Sequence, residues 1–143
     1  MGDTIGRQVL NITADTNVLI RAVVRDDAAQ ASIAAKALMD ADKIAVTLPS
    51  LCEFVWVLLR VYDFKPQDVG SAIRALTSAA NVQVNRPAVE AGLVMLEAGG
   101  DFADGVIAFE GRWLGGDTFV SFDKKAVGLL KAQGLQTELL NSD

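Results

Sequence analysis

The sequence contains no histidine. That absence excludes Ser-His-Asp and Cys-His catalysis, histidine general bases and histidine-ligated zinc. A single cysteine, Cys52, leaves no internal disulfide and no paired-cysteine zinc site. It lies in an apolar run, where burial as a small hydrophobe is its expected role. Charged residues are sparse at 22%, which argues against disorder, and no apolar run is long enough to cross a membrane. The N-terminus has neither the basic region nor the apolar core of a signal peptide, so a cytoplasmic protein is expected. Basic residues number 13 against 18 acids, for a net charge of −5. That balance argues against a general nucleic-acid binder but leaves room for a local basic rim around an acidic site. Catalysis is left to carboxylates, lysine, hydroxyls or a metal, and oxygen ligands alone suit Mg²⁺ or Mn²⁺.

What the chain does have is an apolar half, 51% of 143 residues, enough for one domain spanning residues 1–143 with a real core. Residues 1–7 read as a flexible tail. Val9 to Ala14 reads as a short buried strand that ends on Asp15, with a helix following at once. Asp27 is the expected N-cap of an alanine-rich helix over 28–41. A strand is expected over 43–47 and a helix from Pro49-Ser50 to about Tyr62, apolar nearly all round. Further helices are expected over 67–79, 87–98 and 102–114, and a small strand over 82–84. A strand over 118–122 again ends on an aspartate, Asp123, and precedes a helix over 124–133 and an edge strand over 136–140. This alternation predicts an α/β fold with a parallel sheet of about five short strands and helices on both faces.

Five acidic residues carry the candidate chemistry, and each has a plain alternative. Asp15 and Asp123 sit where a strand turns into a helix, where an aspartate is a good N-cap. Glu53 lies three residues after Ser50, the capping-box spacing, yet it is the one charge between Thr47 and Leu59. Asp101 and Asp104 share a helix mouth, as cap and third helical residue. In an open α/β sheet, ligands collect at the carboxyl ends of the strands, where all of these are expected. Carboxylates gathered there repel unless one takes a proton or a cation sits between them. A divalent metal resolves that conflict and supports phosphodiester hydrolysis without histidine.

Four blocks carry a family resemblance: Ala14 to Ile20 (ADTNVLI) with Val24 to Asp27; Leu48 to Leu58 (LPSLCEFVWVL); Gly100 to Ala108 (GDFADGVIA); and Thr118 to Ala126 (TFVSFDKKA). In this order the sequence resembles the PIN-domain family, and within it the VapC-type toxins of bacterial toxin–antitoxin pairs. The resemblance implies a three-layer α/β/α sandwich and a Mg²⁺- or Mn²⁺-dependent endoribonuclease. It implies that Asp15, Glu53, Asp104 and Asp123 are catalytic and, with Asp101, metal-binding. Thr16, Asn17 and Ser121 fall where the family places supporting polar residues. It further implies an RNA substrate, a homodimer and a cognate VapB-like antitoxin. Trp56 and Leu59 are candidates for a dimer or antitoxin surface. Arg21, Arg25, Arg60, Arg112, Lys124 and Lys125 are candidates for a phosphate-contacting rim.

Two other classes compete. One is a Mg²⁺-dependent phosphatase or phospho-acceptor domain; a haloacid-dehalogenase-like enzyme would want an aspartate where Asn17 stands. The other is a non-catalytic interaction domain on the same fold, which loss of an acid would favour.

Overall fold

The computed structural model describes residues 8–141. The tail expected over residues 1–7 lies outside the described residues. β1 (Asn11–Thr13) leads into α1 (Thr16–Val23) and α2 (Ala28–Asp40). β2 (Lys43–Ala45) leads into α3 (Leu48–Arg60) and α4 (Pro66–Ser78), and β3 (Val82–Gln83) into α5 (Arg86–Glu97) and α6 (Phe102–Trp113). β4 (Thr118–Ser121), α7 (Lys124–Ala132) and β5 (Gln136–Leu139) complete the chain. No helix among the described residues is long and apolar enough to cross a membrane.

Every strand pair is parallel, as expected, but the strands do not form one five-stranded ladder. β1, β2 and β3 pair in that order, with Ile12 beside Ile44 and Ile44 beside Val82. β4 pairs with β5 alone, Phe119 beside Thr137. β1 and β4 each end a ladder. Asn11 and Thr13 of β1 and Thr118 and Val120 of β4 are all exposed, so neither strand has the two buried faces of a central parallel strand. Val9 and Leu10 are likewise exposed and fall outside the strand predicted to contain them.

Each strand that feeds a helix does so through a small polar cap. Asp15 caps α1, Thr47 caps α3, Asn85 caps α5 and Asp123 caps α7, each accepting from backbone N–H groups of the first turn. Because β1, β2 and β3 run parallel, the first three caps lie along one edge of their sheet, at the carboxyl ends of its strands.

The main core lies between the three-stranded sheet and α1, α3, α4, α5 and α6, and Phe54 and Phe102 are fully buried in it. A second, smaller cluster joins Met95, Ala108 and Leu130, with Phe119, Leu129 and Leu135 packed against it. α5 and α6 contribute to both: Leu93 and Phe102 to the first, Met95 and Ala108 to the second. This pair therefore ties the element carrying Asp15 to the one carrying Asp123. Its closeness depends on glycine. A Cβ at Gly105 would stand 2.3 Å from the carbonyl oxygen of Ala91, and one at Gly92 2.6 Å from the Phe102 ring.

Gly105→Ala should lower stability by about 1–3 kcal/mol, because backbone rather than a flexible side chain must give way. Gly111, in the same helix, meets nothing within 4 Å, so Gly111→Ala should be neutral or stabilising by up to about 1 kcal/mol. Urea denaturation of the two variants beside wild type checks this; equal midpoints would contradict the close approach.

Candidate active site

Asp15 is exposed at the end of β1, and its Oδ1 accepts from the Asn17 N–H at 2.7 Å and, more weakly, from Val18 N–H at 3.4 Å. Asp123 does the same after β4, its Oδ1 accepting from Lys125 and Ala126 N–H at 3.0 and 3.1 Å. Oδ1 of Asp101 accepts from Ala103 N–H at 3.1 Å. The capping role anticipated for these acids is therefore real. It uses one oxygen of each carboxylate: among the described residues, Oδ2 of Asp15, Asp101 and Asp123 accepts no hydrogen bond. A cap and a ligand are not alternatives at these positions.

Glu53 departs from expectation. Thr47, not Ser50, caps α3, so Glu53 lies in the second turn, beyond reach of a capping box, and does not open the helix. Its carboxylate accepts instead from the Thr16 hydroxyl, 2.7 Å from Oε1. The Glu53 side chain is thereby tied to the residue beside Asp15, across 37 positions of sequence. Ser121 accepts the Asp123 N–H on its hydroxyl oxygen at 2.9 Å and so shapes the turn that presents Asp123. Asn17 contributes its backbone N–H to Asp15; no hydrogen bond of its side chain to the acids is found.

Asp101, Asp104 and Asp123 line one cleft of about 310 Å³. Its other walls are Val55, Trp56, Leu59 and Arg60 of α3, the Gly99-Gly100 turn, and Lys125 and Ala126 of α7. The Asp104 carboxylate makes no hydrogen bond or ion pair among the described residues; its backbone N–H donates to the Asp101 carbonyl at 3.1 Å. Burial pushes its carboxyl above the ordinary carboxylate range, and the charges of Asp101 and Asp123 push the same way. Asp15 and Glu53 do not line this cleft. α3 connects the two groups: Cys52, next to Glu53, has its thiol pushed up first by burial and then by Asp101 and Glu110. Of the six rim candidates, only Arg60 and Lys125 line the cleft. Arg21 is spent on Asp26 at 2.8 Å, and Arg112 lines separate clefts with Asp117. The Gly99-Gly100 wall was not foreseen as part of the site; its sequence signal was the helix stop that the two glycines mark.

In chemistry these donors fit a hard divalent cation: they are oxygens only, the sequence offers no imidazole, and the one thiol is held toward its protonated form. Their spacing is looser. Among the described residues no three acidic or thiol groups stand together closely enough to hold an ion.

The raised Asp104 carboxyl has a consequence for stability. Its native form binds a proton more tightly than the unfolded chain, so stability falls as pH rises from the ordinary value of 3.8 through the raised one, and the penalty is complete at neutral pH. Asp104→Asn removes it. In a chelator, the variant should be the more stable at pH 7, by no more than about 1 kcal/mol given partial solvent screening. The difference should vanish below pH 3.8, where both side chains are neutral. Thermal melts across pH check this; a variant less stable at pH 7 would overturn the repulsion.

Comparison with known proteins places the chain. No curated protein matches it. The model of the PIN domain matches residues 12–128, a span that holds all five acids and the strands and helices that carry them. PIN domains are generally metal-dependent nucleases, typically served by divalent ions such as Mg²⁺. With that match over most of its length, the chain belongs to the PIN domain family.

Proposed function

We propose that the protein is a Mg²⁺- or Mn²⁺-dependent endoribonuclease acting as the VapC-type toxin of a toxin–antitoxin pair. The observation that carries this reading is that Asp101, Asp104 and Asp123 line one cleft, with the Asp104 carboxyl pushed toward protonation by burial first and then by the charges of the other two. A cluster arranged at a cost to stability is explained by a positive partner that offsets it.

In this reading the free oxygens of Asp101 and Asp123, with Asp104, would hold a cation in the cleft, and Asp15 and Glu53 would reach it only by drawing closer than they now stand. When bound, the ion offsets the carboxylates' repulsion, lowers the pKa of a water and draws in a phosphate. The residues of the chain do the rest. The backbone N–H bonds at Asp15, Asp101 and Asp123 fix each carboxylate while leaving one oxygen exposed. Thr16 holds Glu53 toward Asp15. Arg60 and Lys125 attract the phosphate chain to an otherwise acidic cleft. A VapB-like antitoxin and a second copy of the chain are the proposed protein partners. The apolar surface they would cover includes Val61, 62% exposed.

A non-catalytic PIN-fold binding module is the second reading. It is favoured by the spacing of the acids, which stand too far apart to share one ion as they are placed.

Purified protein should cleave RNA with Mg²⁺ or Mn²⁺ and not with a chelator. Thr16→Val should cost about 10- to 100-fold in activity by freeing Glu53, the scale of losing a residue that orients a ligand. Activity unchanged in Thr16→Val would remove Glu53 from the site. The toxin role is tested by induced expression in a bacterial host, wild type beside Asp15→Asn, with 5′-end mapping of total RNA. Growth arrest and new RNA ends for wild type alone are the expected outcome. Soluble wild-type protein with neither would favour the binding module.

A further inference from the structure

The acidic cleft has one wall that the carboxylate chemistry does not use. Trp56 projects from α3 into it, 56% exposed, beside the half-buried Leu59 and buried Val55. Arg60 stands one helical turn beyond Trp56 on the same face. Lys125, on α7, lines the cleft next to Asp123. Neither cation has an ion-pair partner among the described residues, although the cleft they share is rich in carboxylates.

We infer that Trp56, Arg60 and Lys125 form a subsite for one unpaired nucleotide beside the acidic centre, with the base on the Trp56 ring and its flanking phosphates on the two cations. An aromatic face attracts a base of any identity, and unpaired cations beside it match the phosphates on either side. Bases inside a duplex have both faces stacked and cannot reach such a ring, so the strand bound here is single-stranded at this position. The mixture of cations and an open ring distinguishes the wall from a purely apolar docking face. The inference rests on the nuclease reading for the role of the neighbouring acids, but the subsite itself does not need cleavage.

The test uses the full chain in a chelator at low salt, in a Trp113→Phe background. That change leaves Trp56 as the sole tryptophan, since the sequence has two. The probe is a short mixed-sequence single-stranded RNA, alone or annealed to its complement. Quenching of Trp56 by the single strand and not by the duplex is expected. Trp56→Ala should weaken binding, read by anisotropy of a labelled strand, on the order of 10- to 100-fold. Trp56→Phe should retain most of the affinity, and Arg60→Gln should weaken binding and flatten its salt dependence. Equal binding of duplex and single strand, no binding of either, or wild-type affinity in Trp56→Ala would each overturn the subsite. A strand bound through Trp56 but cut under no condition would keep the subsite and sink the nuclease reading. A strand cut with the same KM by wild type and Trp56→Ala would do the reverse, and would leave Trp56 to a protein partner.

Discussion

Helices α5 and α6 meet where neither has a side chain to hold them apart. Gly105 lets α6 lie against the backbone of Ala91, and Gly92 lets the Phe102 ring lie flat on α5. The rest of the structure depends on that contact, because the strands do not supply a continuous frame. With the ladder broken between β1 and β4, no backbone pairing fixes the carboxylate after β4 relative to the one after β1. The helix pair does so, with residues in both hydrophobic clusters. It also ends in the tight Gly99-Gly100 turn, with Gly99 at φ +90°, so the chain reverses directly into Asp101 and presents Asp104 one turn later.

Capping uses one oxygen of each carboxylate and leaves the other open to a ligand, which dissolves the choice that each acid posed in isolation. An N-cap needs one acceptor, and a carboxylate has two. Asn or Thr caps just as well, and the junctions after β2 and β3 use Thr47 and Asn85. Asp27 shows that an acidic cap can also stand away from the cleft. An acidic cap is therefore no evidence of a site by itself. What marks Asp101 and Asp123 is that their charges both act on the partly buried Asp104 carboxyl, which caps nothing and has no side-chain partner among the described residues.

The pattern along the chain was enough to place all twelve elements to within a few residues and the capping roles of Asp15, Asp27, Asp101 and Asp123, because these depend on local periodicity and on the first turn of each helix. Two things were not legible there. The break in the sheet depends on which faces of short strands become buried, a tertiary outcome that the β-branched run from Val9 onward does not reveal. The capping-box alternative for Glu53 fails on register. Pro49 sits comfortably at the first or second helical position, and a shift of the cap from Ser50 to Thr47 moves Glu53 a full turn from the helix mouth. At that position Glu53 accepts a long-range bond from Thr16 instead of a backbone N–H. The family resemblance anticipated a supporting role for Thr16, but spacing alone could not have paired it with a residue 37 positions away.

In the proposed reading, a chain of net charge −5 needs no basic surface to bind a polyanion. Most of its cations are committed or lie elsewhere: Arg21 to Asp26, Lys36 to Asp40, Arg74 to Glu90 and Glu97, and Arg86 to the Thr77 carbonyl. Arg60 and Lys125 line the cleft of Asp101, Asp104 and Asp123, and among the described residues they form no ion pair with them. Cations spread over a surface would attract any nucleic acid at long range. Two cations confined to a cleft whose other charges are negative favour a ligand that brings positive charge to the acids and phosphate to the rim together. Selectivity in such a site comes from the short reach of its few contacts, and the exposed Trp56 ring adds one that salt does not screen.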